Sequence, residues 1–181
     1  MRFAIGNAVL ELIRGNIVEQ DVDAIVNAAN ETLAPGGGVS GAIHRAAGPE
    51  LADECARIGG CPTGEARITA GYRLKARHVI HAVGPRYSGN PRDAELLASA
   101  YRSALMLAAS HGLQSIAFPS ISTGIYGYPL DQAAPIALAT CRDVLLNHPG
   151  VALVRFVLFD EETYRAYEQA AQTIGLTSIE T

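Results

Sequence analysis

Three stretches of the chain hold residue types at spacings that can do chemistry. The first is Pro35-Gly36-Gly37-Gly38-Val39-Ser40-Gly41. Consecutive glycines tolerate positive φ and leave their backbone N–H groups unshielded. A helical pattern opens directly behind them, so the partial positive charge of that helix's first turn points the same way. Amides gathered like this favour a phosphate; taken alone, the loop is equally a surface turn. The second stretch is Pro119-Ser120-Ile121-Ser122-Thr123-Gly124-Ile125-Tyr126-Gly127-Tyr128-Pro129. Small hydroxyl residues and glycines let backbone and side-chain donors converge on oxygen, although a structural loop is an equal reading of this stretch by itself. Together, two donor-rich loops can cover both phosphates of a diphosphate. The third stretch is Val26-Asn27-Ala28-Ala29-Asn30. Asn27 is expected as a turn device that bonds nearby backbone. Asn30, further into the loop, is placed to offer its amide to a sugar hydroxyl.

Other chemistries are excluded by the same reading. Gly36, Gly38 and Gly41 match GxGxxG, but that fingerprint opens at a strand's end, and here Ala28 to Pro35 intervene. No Walker lysine follows the glycines, and no GxSxG marks a hydrolase elbow. Metal spacing is absent, with neither HExxH nor a paired Cys/His cluster, so neither metal nor cofactor is expected. Cys55, Cys61 and Cys141 are odd in number and form no CxxC pair, which reads as free or buried thiols in a reducing compartment. Fourteen basic residues against eighteen acidic ones leave a net charge of −4, which argues against nucleic acid as a partner. No apolar run nears the ~18 residues of a membrane helix, and Met1 to Ile5 meets Gly6-Asn7 without the apolar core of a secretory signal. A cytoplasmic protein with no membrane partner is expected.

These stretches need elements to position them. Expected strands are Val9 to Ile13, Ala24 to Asn27, Glu65 to Ala70, His78 to Val83, Ser115 to Phe118 and Val151 to Phe159. Expected helices are Ser40 to Ala47, Pro49 to Ile58, Asp131 to Leu146 and Glu161 to Ile174. A further long helix is capped by Asp93 and stopped by Gly112, with Leu96, Leu97, Ala100, Ala104, Leu105 and Ala108 at helical spacing. The 181 residues, 49% of them hydrophobic, suit one domain over 1–181 with its own core. Strands separated by crossover helices point to an α/β fold with a mostly parallel sheet and helices on both faces. Ligands of such sheets lie outside the strands' carboxyl ends, here Asn27 to Gly41, Pro119 to Pro129 and Phe159-Asp160.

Taken together the sequence resembles the macro domain family, and within it the MacroD-type branch. The matching stretches are Val22-Asp23-Ala24-Ile25-Val26-Asn27-Ala28-Ala29-Asn30, Gly36-Gly37-Gly38-Val39, Ala42-Ile43-His44-Arg45-Ala46-Ala47-Gly48, Cys61-Pro62-Thr63-Gly64-Glu65-Ala66, Val79-Ile80-His81-Ala82-Val83-Gly84-Pro85 and Ile121-Ser122-Thr123-Gly124-Ile125-Tyr126-Gly127. Their order holds from about Leu12 to Asp160. The resemblance implies a three-layer α/β/α fold with a mixed central sheet and a metal-free cleft for ADP-ribose. Relatives of this kind hydrolyse ADP-ribosyl esters on acidic side chains, deacetylate O-acetyl-ADP-ribose, or only bind the ligand. By the family pattern Ser122, Thr123, Gly124, Ile125 and Tyr126 clasp the diphosphate with Gly37, Gly38 and Val39. Asn30 holds the terminal ribose, Phe159 stacks on adenine, and Asn16 and Ile17 lie at the base. Asn30, Gly38 and Ser40 are the catalytic candidates.

Two positions depart from the pattern. Gly15-Asn16-Ile17 stands where relatives carry Gly-Asp-Ile, so the adenine amino group meets an amide oxygen without charge assistance. Val39-Ser40-Gly41 stands where MacroD-type enzymes carry Val-Asp-Gly, so the carboxylate that helps the catalytic water is missing. The expectation is a weak hydrolase of ADP-ribosyl glutamate or aspartate on proteins, or of O-acetyl-ADP-ribose. The alternatives are a non-catalytic ADP-ribose-binding module and, third, an RNA-associated protein. His81 is expected as a hydrogen-bonded core residue, His44 as packing, and Tyr164 and Tyr167 as helix packing. The basic run Arg67, Arg73, Lys75, Arg77, Arg86 and Arg92 is expected as a solvated face.

Overall fold

Side chains along a strand alternate between two faces, and the apolar residues here do so into two separate cores. A computed structural model describes residues 1–179. Its strands are β1 (Arg2–Ile5), β2 (Ala8–Arg14), β3 (Ala24–Ala28), β4 (Ala66–Ala70), β5 (His78–Ala82), β6 (Ser115–Phe118), β7 (Leu153–Leu158) and β8 (Thr177–Ser178). Its helices are α1 (Gly38–Ala47), α2 (Pro49–Ile58), α3 (Arg92–Ser110), α4 (Leu130–Asn147) and α5 (Glu161–Thr173), with a 3-10 turn at Ile17–Glu19. In β3, Ala24 and Val26 join the core under α3, α4 and α5, while Ile25 joins the core under α1 and α2. The result is three layers, with helices on both faces of one sheet.

The eight strands run in the order β4-β5-β3-β6-β7-β2-β1-β8. Pairings within β5-β3-β6-β7-β2 are parallel. The outer pairings of β4, β1 and β8 are antiparallel. The α/β/α architecture with a mixed, mostly parallel sheet is thus as expected, and the parallel strands all end at one edge. At the opposite edge Asp23 fixes the starts of β3 and β6: its carboxylate accepts from Gln114 N at 2.7 Å, Ser115 N at 3.2 Å and Arg77 Nη2 at 2.8 Å.

The structure corrects several element boundaries. β1, β8 and the 3-10 turn were not anticipated; β8 has only two polar residues and exists through its pairing with Phe3 and Ala4. Helix α1 starts at Gly38 rather than Ser40, so the glycine run enters the helix. Phe159 lies beyond β7, and Val151 precedes it. Asp93 does not cap α3. Pro91 occupies that position, and the Asp93 carboxylate instead accepts from Ser88 N at 2.8 Å and Gly89 N at 3.0 Å. Those bonds, the Ser88 N–H first among them, hold its pKa below the usual value. No helix among the described residues is long and apolar enough to cross a membrane.

Candidate functional site

The carboxyl ends of β5, β3 and β6 are neighbours, and a cavity of about 310 Å³ opens between their loops. Ala28, Ala29 and Asn30 lead into it from β3, and Gly36 to Ser40 line it where α1 begins. From β6 come Ser120, Ile121 and Ser122, then Gly124, Ile125 and Tyr126. Gly84 and Arg86 follow β5.

At the start of α1 the cap is Gly37, and no side chain caps the first turn. Its backbone donors therefore face the cavity, where an anion can use them. Gly38 has φ +56° and nothing within 4 Å of where a Cβ would stand. Opposite, Ser122 adopts φ +68°, an uncommon conformation for a residue with a side chain. Strain of this kind costs about 1–3 kcal/mol and persists where the surroundings enforce it. They do so here: a Cβ on Gly84 would overlap Ser122 Oγ and Ile121 Cγ2. That contact explains the glycine after β5. The two loops also approach over the cleft, since a Cβ on Gly37 would lie 3.8 Å from Ile125 Cδ1.

The second loop hangs from two buried tyrosines. Tyr101 of α3 accepts a hydrogen bond from Ile121 N at 2.8 Å. Tyr167 of α5 donates to Ser120 Oγ at 2.9 Å, and the two phenol oxygens are 3.3 Å apart. Tyr167 is therefore more than the packing residue expected. Thr123 Oγ1 turns into the loop, 2.9 Å from Ser120 Oγ, and is not on the cavity wall.

Asn30 is held by its own loop. Its Oδ1 accepts from Thr32 Oγ1 at 2.8 Å and from Ala34 N at 3.2 Å, while Nδ2 donates to Ala34 O at 3.1 Å. A carboxamide nitrogen has two N–H donors, so one remains for a ligand, near Gly36. Ser40 is buried, lines the cavity, and its Oγ has no partner among the described residues. One turn on, His44 is also buried with both ring nitrogens unpartnered, and burial lowers its pKa.

Asn27 is not the turn device expected. It sits inside β3, facing α1 and α2, and its Nδ2 lies 3.1 Å from His81 Nδ1 across the parallel pairing with β5. His81 is the core histidine anticipated: it is fully buried, with Nε2 3.0 Å from Thr69 Oγ1 and 3.7 Å from Cys55 Sγ. Burial, and next the nearby His44, push its pKa down to about 3. Burial, then Glu54, pushes the Cys55 thiol up to about 11. All three cysteines are free and buried.

The remaining expected residues lie along the same sheet edge but off the cavity wall. β7 and β2 follow β6 in the sheet, and Gly15 N donates to Leu158 O at 3.2 Å, bringing Asn16 beside Phe159. Phe159 is 83% exposed, an open aromatic face. Asn16 Oδ1 accepts from Val18 N at 3.2 Å, capping the 3-10 turn. The Ile17 side chain is buried in the core under α1 and α2. Of the other cavity residues, Ala28, Ala29, Gly36, Ser120 and Ile121 fall within the stretches singled out in the sequence without a role of their own, whereas Gly84 and Arg86 were not expected at the site. The rule about strand carboxyl ends applied equally to β5 and would have pointed to Gly84 and Arg86. Of the basic run, Arg67, Arg73 and Arg77 pair with Glu65, Glu50 and Asp23 at the surface. Arg86 departs from that face and enters the cleft. No group of three His, Cys, Asp or Glu side chains forms a metal-binding cluster among the described residues.

Comparison with known proteins matches the Macro domain family model to residues 26–137. A macro domain-containing protein of Chlorobaculum tepidum is 54% identical over 165 residues, covering 91% of this chain and 96% of its own length. The Oceanobacillus iheyensis macrodomain with ADP superposes with a TM-score of 0.92 at 45% identity, covering 96% of this chain and 95% of that one. A Trypanosoma brucei macrodomain in complex with ADP-ribose superposes with a TM-score of 0.85 at 47% identity, covering 90% of this chain and 68% of that one.

Proposed function

The chain belongs to the macro domain family, and from that premise we propose that its cleft binds ADP-ribose and that the protein slowly hydrolyses ADP-ribosyl esters. The observation that carries the reading is one cavity shared by the uncapped start of α1 and the strained loop of Ser122. On this reading the diphosphate lies between Gly37, Gly38 and Val39 on one side and Ser122, Gly124, Ile125 and Tyr126 on the other, with Thr123 bracing the second loop from within. The terminal ribose meets the free N–H of Asn30. Adenine extends along the sheet edge toward Asn16 and Phe159. The solved relatives from Oceanobacillus, with ADP, and from Trypanosoma, with ADP-ribose, support the nucleotide assignment.

The substrates proposed are mono-ADP-ribosyl glutamate or aspartate on proteins, and O-acetyl-ADP-ribose. In each, water attacks the anomeric or the acyl carbon and a C–O bond breaks. When the anomeric carbon is attacked, the acceptor carboxylate leaves with the bonding electrons and needs no acid; when the acyl carbon is attacked, as in O-acetyl-ADP-ribose, the ribose oxygen leaves with them and takes up the proton that the water gave away. The water proton needs an acceptor, and a serine hydroxyl is no base at neutral pH. A phosphate oxygen of the substrate takes that role, while Asn30, Gly38 and Ser40 position ribose and water. Positioning alone supplies a large share of many rate enhancements. The second reading, a binding module without turnover, is favoured by Ser40 and by the lack of any acidic side chain among the described residues lining the cavity. Release of ADP-ribose from a glutamate-linked mono-ADP-ribosyl protein decides between the two. Slow release supports the hydrolase; no release alongside tight ADP-ribose binding supports the module.

A further inference from the structure

We propose that Arg86 is a specificity-determining residue of the cleft, whose guanidinium takes a phosphate oxygen of the bound diphosphate. This rests on reading the cavity as a diphosphate site. Among the described residues lining the cavity, Arg86 alone is charged. The glycine loop and the Ser122 loop offer only neutral donors to a group that carries about two negative charges. A cation at that wall has a task that backbone amides do not perform. It adds a term that depends on the ligand's charge and on salt, and so separates phosphorylated ligands from neutral ones of similar shape.

The guanidinium is also available. Its neighbours in sequence, Arg67, Arg73 and Arg77, are taken by carboxylates, whereas the contact made by Arg86 is with the Tyr126 ring, its Cζ 4.8 Å from the ring centroid. Contact with a ring face engages none of the guanidinium's five N–H donors in a hydrogen bond, so its N–H edge stays free for an oxyanion. That edge has the fork geometry that matches phosphate.

The segment carrying it is held in place before any ligand arrives. Tyr87 N donates to Tyr126 O at 2.9 Å, so the loops after β5 and β6 are tied beside Arg86. The Tyr87 ring meets Tyr128 edge-on at 5.0 Å. Asp93 gathers Ser88 and Gly89, and Gly84 packs against Ser122. A cation on an anchored segment loses less freedom on binding than one on a free loop.

The test compares wild type with Arg86→Lys, Arg86→Gln and Arg86→Glu, titrated with adenosine, ADP and ADP-ribose by NMR and calorimetry at low and high salt. Thermal denaturation shows each variant folded. Arg86→Gln is expected to lose roughly 5- to 30-fold affinity for ADP and ADP-ribose alike, the factor that one to two kcal/mol represents. Arg86→Glu loses more, Arg86→Lys less, and adenosine binding is unchanged. The salt dependence of ADP-ribose affinity shrinks in Arg86→Gln. Equal ADP-ribose affinity in all four proteins overturns the proposal, as does an equal loss for adenosine. A loss confined to an ADP-ribosylated acidic peptide, with free ADP-ribose unaffected, also overturns it and moves the cation to the acceptor. Failure of wild type to bind ADP-ribose at all is a different result and sinks the reading of the cavity itself.

Discussion

Asn30 shows how a side chain's hydrogen-bond inventory limits what a ligand can ask of it. Both acceptor positions of its Oδ1 are engaged, by Thr32 Oγ1 and Ala34 N, so the carboxamide is oriented with a donor to spare. Asn30→Ala should abolish ester hydrolysis, measured as ADP-ribose released over time from an automodified acceptor; unchanged release would place the chemistry elsewhere. Thr32→Val should weaken ADP-ribose several-fold by freeing the amide to turn, a neutral hydrogen bond being worth about 1 kcal/mol. Thr32→Ser, which keeps the hydroxyl, should restore binding. Ser40→Asp should raise the hydrolysis rate by supplying a carboxylate beside the water. At the far end of the cleft, Phe159→Ala should weaken ADP-ribose by about 1–3 kcal/mol, by analogy with base–aromatic stacking. Thermal stability should hardly change, because the ring is 83% exposed. Calorimetry and a melting curve check both halves of that expectation.

Helices reach the site in two ways. Helix α1 presents its uncapped start, whereas α3 and α5 act from beneath through phenol oxygens that hold Ile121 N and Ser120 Oγ. Tyr167→Phe keeps the ring and its tilted contact with Phe156, 5.2 Å between centroids, but removes the hydroxyl. Stability should fall by about 1 kcal/mol, and ADP-ribose should bind more weakly although Tyr167 does not line the cavity. Unchanged affinity would show that the loop holds its shape without the tyrosine pair. Two glycines contrast at this scale. Gly38→Glu meets open space but stands at φ +56°, so the protein should fold at a cost of about 1–2 kcal/mol in backbone strain, yet binding should vanish because a carboxylate then faces the phosphates. Gly84→Ala drives a methyl group into Ser122 and Ile121, so it should destabilise the fold and the cleft together.

The whole molecule couples its stability to pH through the layer between sheet, α1 and α2. His81 and His44 both have lowered pKa values, His81 to about 3, with burial the first cause in each. In the unfolded chain both revert to the ordinary histidine value of 6.5. Below that pH the unfolded state takes up protons that the folded state refuses. Stability is therefore fully present above 6.5 and declines as pH falls toward about 3, by about 1.4 kcal/mol per pH unit for each histidine that titrates only when unfolded. Asp23 and Asp93 have lowered pKa values and act in the same direction, but only once the pH falls below the ordinary aspartate value of 3.8. For Asp23 burial alone acts upward, and the Arg77 and backbone hydrogen bonds outweigh it. Denaturant titrations between pH 7 and 4.5 should show the decline, and His81→Gln should flatten it. A slope equal to wild type in that variant would remove His81 from the account.

What the sequence determined was local. The nearly continuous apolar run of Ala24 to Asn27, the helical spacing from Leu96 to Ala108 and the glycine run at Gly36 to Gly38 each declare themselves within a few residues, because these signals are local in sequence. The position of two donor-rich loops at strand ends followed from the same signals, and Asn30, Gly38, Ser40 and Ser122 do line one cavity. Tertiary structure decided which distant groups meet. Asn27 reads as a turn residue in sequence, and only the β3–β5 pairing sets it against His81, 54 positions away. Tyr167 reads as packing until it reaches Ser120, 47 positions back. Asp93 has the look of a helix cap, yet the chain before α3 folds back so that its carboxylate serves Ser88 and Gly89. Arg86 sits among basic residues that find carboxylates, and the sheet order alone brings it over Tyr126, forty positions later in the chain. A hydrogen-bonding or charged group takes its role from whichever partner stands within about 3 to 5 Å, and for these residues that partner is chosen by strand order and register rather than by neighbours in sequence.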